Sequence, residues 1–128
     1  MRSEDKRRYL EETEQIFLFQ WAKMNSGKYP ELKLLFHIPN GGLRSKTEAK
    51  RLKAAGVKAG IPDVFLPVSA NQYHGLFIEM KSEKGKTTKE QEAWLSELSK
   101  EGYKTAVCHG WIEAAKEIIK YLGLPIEV

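Results

Sequence analysis

Three residues in this sequence have the types and the spacing to hydrolyse a charged substrate. Asp63 follows Ile61-Pro62, and Glu79 and Lys81 flank Met80. Alternation along a strand sends Glu79 and Lys81 to one face and Ile78 and Met80 to the other. Asp63 opens the preceding apolar run, so a hairpin between residues 64–68 and 76–81 brings it beside Glu79. Two carboxylates held together repel, and one keeps a proton unless a cation lies between them. Hard oxygen donors suit Mg²⁺ or Mn²⁺, which keep several waters of their own. A lysine beside such a centre orients or deprotonates a water, or steadies the charge that develops on a phosphate. Acid, acid and lysine around a hard cation suit phosphodiester hydrolysis. Glu-x-Lys alone is a common tripeptide, which on an edge strand is only a solvated ion pair. The Pro-Asp upstream makes it a candidate site.

Other residues gather around this set. Glu14 lies in line with Leu10, Phe17, Trp21 and Met24, which the 3.6-residue period places on one face of a helix. A carboxylate on a core-facing stripe needs a partner or a cation, whereas at the stripe's margin it reaches water. Glu14 is therefore a candidate third acid. His37-Ile38-Pro39-Asn40-Gly41-Gly42 is a polar, glycine-rich stretch at a strand end, where backbone can approach a ligand closely. It reads equally as a plain turn with a satisfied histidine. Gln91 stands at the start of a helix, where it either reaches the site or caps the helix. Trp94, Trp111 and Tyr121 read as core residues. His74, His109 and the single Cys108 lack the spacing of a zinc site, and one cysteine forms no intramolecular disulfide.

The elements that position these residues follow from periodicity and punctuation. A helix is expected over 4–24, ended by Asn25-Ser26-Gly27, and a strand over 32–38. A short basic helix follows at 45–55, with Ser45 and Glu48 in capping-box spacing and Gly56 after it. Strands at 64–68 and 76–81 enclose a polar connection, and a helix over 88–100 opens with Thr88 and Gln91, again in capping-box spacing. A strand at 103–108 and an amphipathic helix at 111–122 close the chain, the latter with Ile112, Ala115, Ile119 and Leu122 on one face. The order α-β-α-β-β-α-β-α predicts an α/β fold, a mixed central sheet flanked by helices.

Composition bounds the rest. At 128 residues, 41% hydrophobic and 30% charged, the chain has a globular profile and is expected to form one domain over 1–128. No apolar run approaches the ~18 residues of a membrane span, and the charged start MRSEDKRRYLEE lacks a signal-peptide core. A soluble, intracellular protein is the expectation. Of the net charge of +4, residues 44–58 contribute +5: Arg44, Lys46, Lys50, Arg51, Lys53 and Lys58 against Glu48. Positive charge concentrated in one segment is what a phosphate-contacting surface needs.

Taken in order, these residues resemble the VRR-NUC (virus-type replication-repair nuclease) branch of the PD-(D/E)xK nucleases. The resemblance runs from about 14 to 122. It is carried by Glu14, His37-Ile-Pro-Asn40-Gly-Gly, Lys53-Ala-Ala-Gly56-Val-Lys-Ala-Gly60, Ile61-Pro62-Asp63, Glu79-Met80-Lys81, Gln91 and Trp94. It implies a restriction-endonuclease-like fold. Asp63 and Glu79 would be metal-binding acids helped by the Met80 carbonyl, with Glu14 a supporting acid. Lys81 would be the catalytic lysine and Gln91 an auxiliary residue. Asn40, Arg44, Lys46, Lys50, Arg51, Lys53 and Lys58 would face DNA. The implied activity is Mg²⁺- or Mn²⁺-dependent DNA cleavage. Stand-alone viral and bacterial members resemble homodimeric nucleases that cut four-way junctions, which places the expected activity in the cytoplasm of a bacterium or a phage-infected cell. Two other readings fit the same residues: a DNA-binding or assembly module without turnover, and a restriction-type nuclease reading duplex sequence.

Overall fold

A computed structural model describes residues 2–39 and 45–128. Its elements are α1 (Ser3–Asn25), a 3₁₀ turn (Pro30–Leu34), β1 (Phe36–His37), α2 (Lys46–Ala54), β2 (Val64–Leu66), β3 (Leu76–Lys81), α3 (Lys89–Lys100), β4 (Lys104–His109) and α4 (Trp111–Leu122). The strands lie in the order β1-β2-β3-β4. β1 and β2 pair antiparallel, as do β2 and β3, whereas β3 and β4 run parallel through the α3 crossover. This is the mixed sheet with flanking helices that the element order predicts.

β3 lies inside the sheet and all six of its residues are buried. A strand covered on both faces reads as a nearly unbroken apolar run, and Leu76-Phe77-Ile78 obeys that rule. Glu79 and Lys81 break it: they are charged side chains in the most buried strand, not a solvated pair at an edge. On one face, Leu76, Ile78 and Met80 join a core with Leu18, Trp21 and Ala22 of α1 and Ala114, Ala115, Ile118 and Tyr121 of α4. Each such large apolar side chain contributes roughly 1.5–3 kcal/mol by leaving water, which is how the fold holds two buried charges on one strand. On the other face, Phe77 stacks on Phe65 at 4.1 Å between ring centroids, and Tyr103 meets both rings edge-on.

Two expectations are corrected. The apolar run over 32–38 is not one strand. Pro30 fixes its own φ and starts a 3₁₀ turn, and only Phe36 and His37 pair with β2. The buried face of α1 also differs from the expected stripe. Leu18, Trp21 and Ala22 are buried, whereas Phe17 is 43% exposed and Met24 84% exposed. Apolar residues lie all round this helix, and packing against α4 and β3 decides which of them are covered.

Candidate active site

The site forms where β2 and β3 diverge. β2 starts with Val64 opposite Ile78, which sets Asp63, one residue earlier, beside Glu79 and Met80. The Asp63 Oδ2 accepts a hydrogen bond from the Met80 N–H at 2.8 Å. Its backbone carbonyl accepts from the Ile38 N–H at 2.7 Å and from His37 Nδ1 at 2.8 Å. His37 is thus a tether for the Pro-Asp segment, with Nδ1 carrying the proton because a carbonyl only accepts. Pro62 is fully buried, so Asp63 is held on both sides of its Cα.

Glu79 is 2% exposed. Its Oε2 lies 3.3 Å from Lys81 Nζ and accepts from Gln91 Nε2 at 3.1 Å. Its Oε1 is buried with no hydrogen-bond partner among the described residues. A buried carboxylate is costly to ionise, and the titration of Glu79 reflects it. Burial first, and then the neighbouring Asp63 carboxylate, push its carboxyl up to about 8, with Lys81 opposing. Lys81, 6% exposed, is held in place by the glutamate it pairs with.

Gln91 settles the choice the sequence leaves open by doing both jobs. Its Oε1 accepts from the Thr88 N–H at 2.9 Å, its own N–H donates to Thr88 Oγ1 at 3.2 Å, and its Nε2 reaches Glu79. The capping box that starts α3 therefore aims an amide at the buried acid. A tight approach fixes α3 over the Pro-Asp segment: a Cβ on Gly60 would lie 2.7 Å from Glu90 Cβ, and Gly60 has φ +88°. Trp94 completes the contact by donating Nε1–H to the Ala59 carbonyl at 3.0 Å.

Asp63, Glu79, Met80 and Gln91 open onto a cleft of about 510 Å³, room for a phosphate and several waters at about 30 Å³ each. A wall of α1 lines it too, through Arg8, Glu11, Glu12 and Gln15, and His37 and Pro39 border it. Glu14 is not among the lining residues. The lining positions 8, 11, 12 and 15 follow the helical repeat, and Glu14 points off that line toward the start of α4, where its Oε1 lies 3.0 Å from the Cβ position of Gly110. A carboxylate at a helix N-terminus is electrostatically favoured. Glu11 sits where the helix meets β3, its Oε2 3.3 Å from the Ser82 N–H. The α1 wall is absent from the sequence-based expectations, although Arg8, Glu11, Glu12 and Gln15 form a polar i, i+3, i+4, i+7 stripe visible in the sequence. Among the described residues no group of three or more His, Cys, Asp or Glu could hold a metal. A divalent cation, if bound here, would be held by Asp63, Glu79 and the Met80 carbonyl.

The family model of the VRR-NUC domain matches residues 3–111. The chain belongs to the VRR-NUC domain family. A solved structure described as "VRR_NUC domain protein" is 32% identical to it, with a TM-score of 0.77, and the alignment covers 90% of this chain and 89% of that one. No curated protein matches the chain. Membership makes this a nuclease-fold domain that acts on DNA.

In this VRR-NUC domain the described basic residues of the 44–58 segment lie outside the cleft lining. Lys46, Lys50, Arg51, Lys53 and Lys58 are all exposed, and α2 has no buried residue, only the half-buried Leu52. Ser45 caps it by accepting from the Glu48 N–H at 3.1 Å. Asn40 and Arg44 fall outside the described residues. No helix among the described residues is long and apolar enough to cross a membrane.

Proposed function

We propose that this VRR-NUC domain is a Mg²⁺- or Mn²⁺-dependent endonuclease of the PD-(D/E)xK type that hydrolyses DNA phosphodiester bonds. The observation that carries the reading is the orphaned Oε1 of Glu79, buried beside a second carboxylate in a cleft with a lysine at hand. A buried acid beside a second, partly exposed carboxylate is unfavourable by itself and suited to a divalent cation. Asp63, Glu79 and the Met80 carbonyl are the groups that would hold it, and Glu14 of α1 supports the site from beside Gly110. When bound, the cation supplies charge neutralisation for the phosphate and acidifies water.

The chain's own residues do the rest. The Met80 N–H and the tethers from His37 and Ile38 fix Asp63. Gln91 fixes the Glu79 carboxylate in one rotamer. Lys81 presents an ammonium to the reacting phosphate, where it stabilises developing negative charge or orients the attacking water. The solvated basic face of α2 (Lys46, Lys50, Arg51, Lys53), with Lys58 and, by sequence, Asn40 and Arg44, contacts the DNA backbone. We propose further that the substrate is branched, a four-way junction above all, and that the active species is a homodimer. Both rest on the resemblance to the stand-alone members, since a two-fold dimer offers two active sites to a two-fold junction.

The test incubates the protein with labelled four-way junction, flap and linear duplex in Mg²⁺, Mn²⁺ or EDTA, beside Asp63→Ala and Lys81→Ala. Metal-dependent cuts placed symmetrically on the junction, absent in both variants, are expected. Asp63→Ala weakens metal binding, whereas Lys81→Ala retains more of it and still suppresses cleavage. Cleavage of linear duplex alone discards the junction. Binding that is indifferent to EDTA and to Asp63→Ala, with no cleavage, turns the protein into a binding module.

A further inference from the structure

The cleft has a charge problem. Its lining carries four carboxylates, Glu11, Glu12, Asp63 and Glu79, and a single Lys or Arg side chain, Arg8. That is formally −3, and one divalent cation brings it only to −1. A DNA phosphate adds a negative charge of its own. Lys81, buried and paired with Glu79, serves the scissile phosphate, so positive charge for docking a neighbouring phosphate must come from elsewhere. Arg8 is exposed and, among the described residues, makes no ion pair, although Glu11 and Glu12 stand at the i+3 and i+4 positions where helical pairs form.

Its position is set by what lies next to it. Glu11 meets the Ser82 N–H, one residue beyond Lys81. Arg8 lies three residues before Glu11, about 4.5 Å of helical rise along α1, and lines the same cleft as Asp63 and Glu79. We infer that Arg8 is a substrate-positioning residue whose guanidinium grips the non-bridging oxygens of a DNA phosphate adjoining the one that is cut. A planar fork of N–H donors matches two phosphate oxygens in a way a lysine cannot. Holding the neighbouring phosphate fixes the scissile one over Asp63 and Glu79, and such positioning is a large part of the rate in any phosphoryl transfer. This assignment rests on the nuclease reading above.

The experiment measures steady-state cleavage, with Mn²⁺, of whichever DNA the wild type cuts best. It compares wild type, Arg8→Ala, Arg8→Lys and, as a control for net charge, Lys120→Ala on α4. The salt dependence of DNA binding is measured alongside. Arg8→Ala should raise KM on the order of tenfold, with a smaller change in kcat, and lower the log–log salt slope by about 0.9. Arg8→Lys should restore the salt slope but only part of the KM. Lys120→Ala should match wild type. If Arg8→Ala shows the KM and salt slope of Lys120→Ala while wild type cleaves, the assignment is overturned and the nuclease reading stands. If wild type cleaves no DNA with Mn²⁺, or with Mg²⁺ in its place, the nuclease reading falls and takes the assignment with it.

Discussion

Replacing Glu79 by glutamine should make the metal-free protein more stable at alkaline pH while abolishing its activity. The native carboxyl is pushed up to about 8 from an ordinary 4.5, by burial and by Asp63. Between those two values the native state holds a proton that the unfolded chain has released. Stability therefore falls as pH rises through that window and levels off above it. The displacement from 4.5 to about 8 is worth on the order of 5 kcal/mol once Glu79 is fully ionised. Glutamine keeps the shape, still accepts from Lys81 and Gln91, and carries no charge to repel Asp63. Urea unfolding in EDTA from about pH 5 to about pH 9, on both proteins, isolates the effect as a difference, because the other titrating groups are shared. The difference should be small at the acid end and reach a few kcal/mol in favour of Glu79→Gln at the alkaline end. Added Mg²⁺ should stabilise the wild type and not the variant. Parallel curves for the two proteins would refute the reasoning, since the cost assigned to the ionised Glu79 would then be absent.

Three further outcomes follow from the same contacts. Gly60→Ala places a methyl group 2.7 Å from Glu90 Cβ at a residue with φ +88°, so it should cost roughly 1–3 kcal/mol and lower cleavage with it; a variant of unchanged urea midpoint would contradict this. Thr88→Ala removes the acceptor of the Gln91 N–H and should cost about 1 kcal/mol. It leaves the Thr88 N–H bond to Gln91 in place, so cleavage should drop less than in Gln91→Ala, measured side by side. Reversing the charges of Lys50, Arg51 and Lys53 to Glu should weaken DNA binding and lower the salt slope by roughly 0.9 for each phosphate no longer neutralised. An unchanged slope in the binding titration removes α2 from the interface.

Much of the fold and of the site is legible in the sequence because the signals are local. Thr88 and Gln91 mark the start of α3, and Gly102, with φ +93°, follows its end. The pairing of Asp63 with Glu79 follows from a hairpin of two short apolar runs. What the sequence hides depends on neighbours. Leu32, Leu34, Leu35 and Phe36 look like one strand, since a short apolar run does not reveal its period, and Pro30 upstream decides the matter. The stripe that carries Glu14 keeps Trp21 buried but leaves Leu10, Phe17 and Met24 exposed. Round the helix from it, Arg8, Glu11, Glu12 and Gln15 line the cleft. A helix with apolar residues on every side does not say which side is inward until α4 is in place.

The double duty of Gln91 narrows what the genetic code can do at this position. A capping box accepts glutamate as readily as glutamine, so by the measure of helix stability the two are interchangeable. Here only the amide serves, because one end accepts from the Thr88 N–H and the other donates to Glu79. A glutamate would start α3 equally well and set a third carboxylate against an already crowded pair. Glutamine and glutamate codons differ by one base. A single transversion would thus keep the start of α3 and lose the grip on the buried acid, a lesion that a measure of helix content would pass unseen.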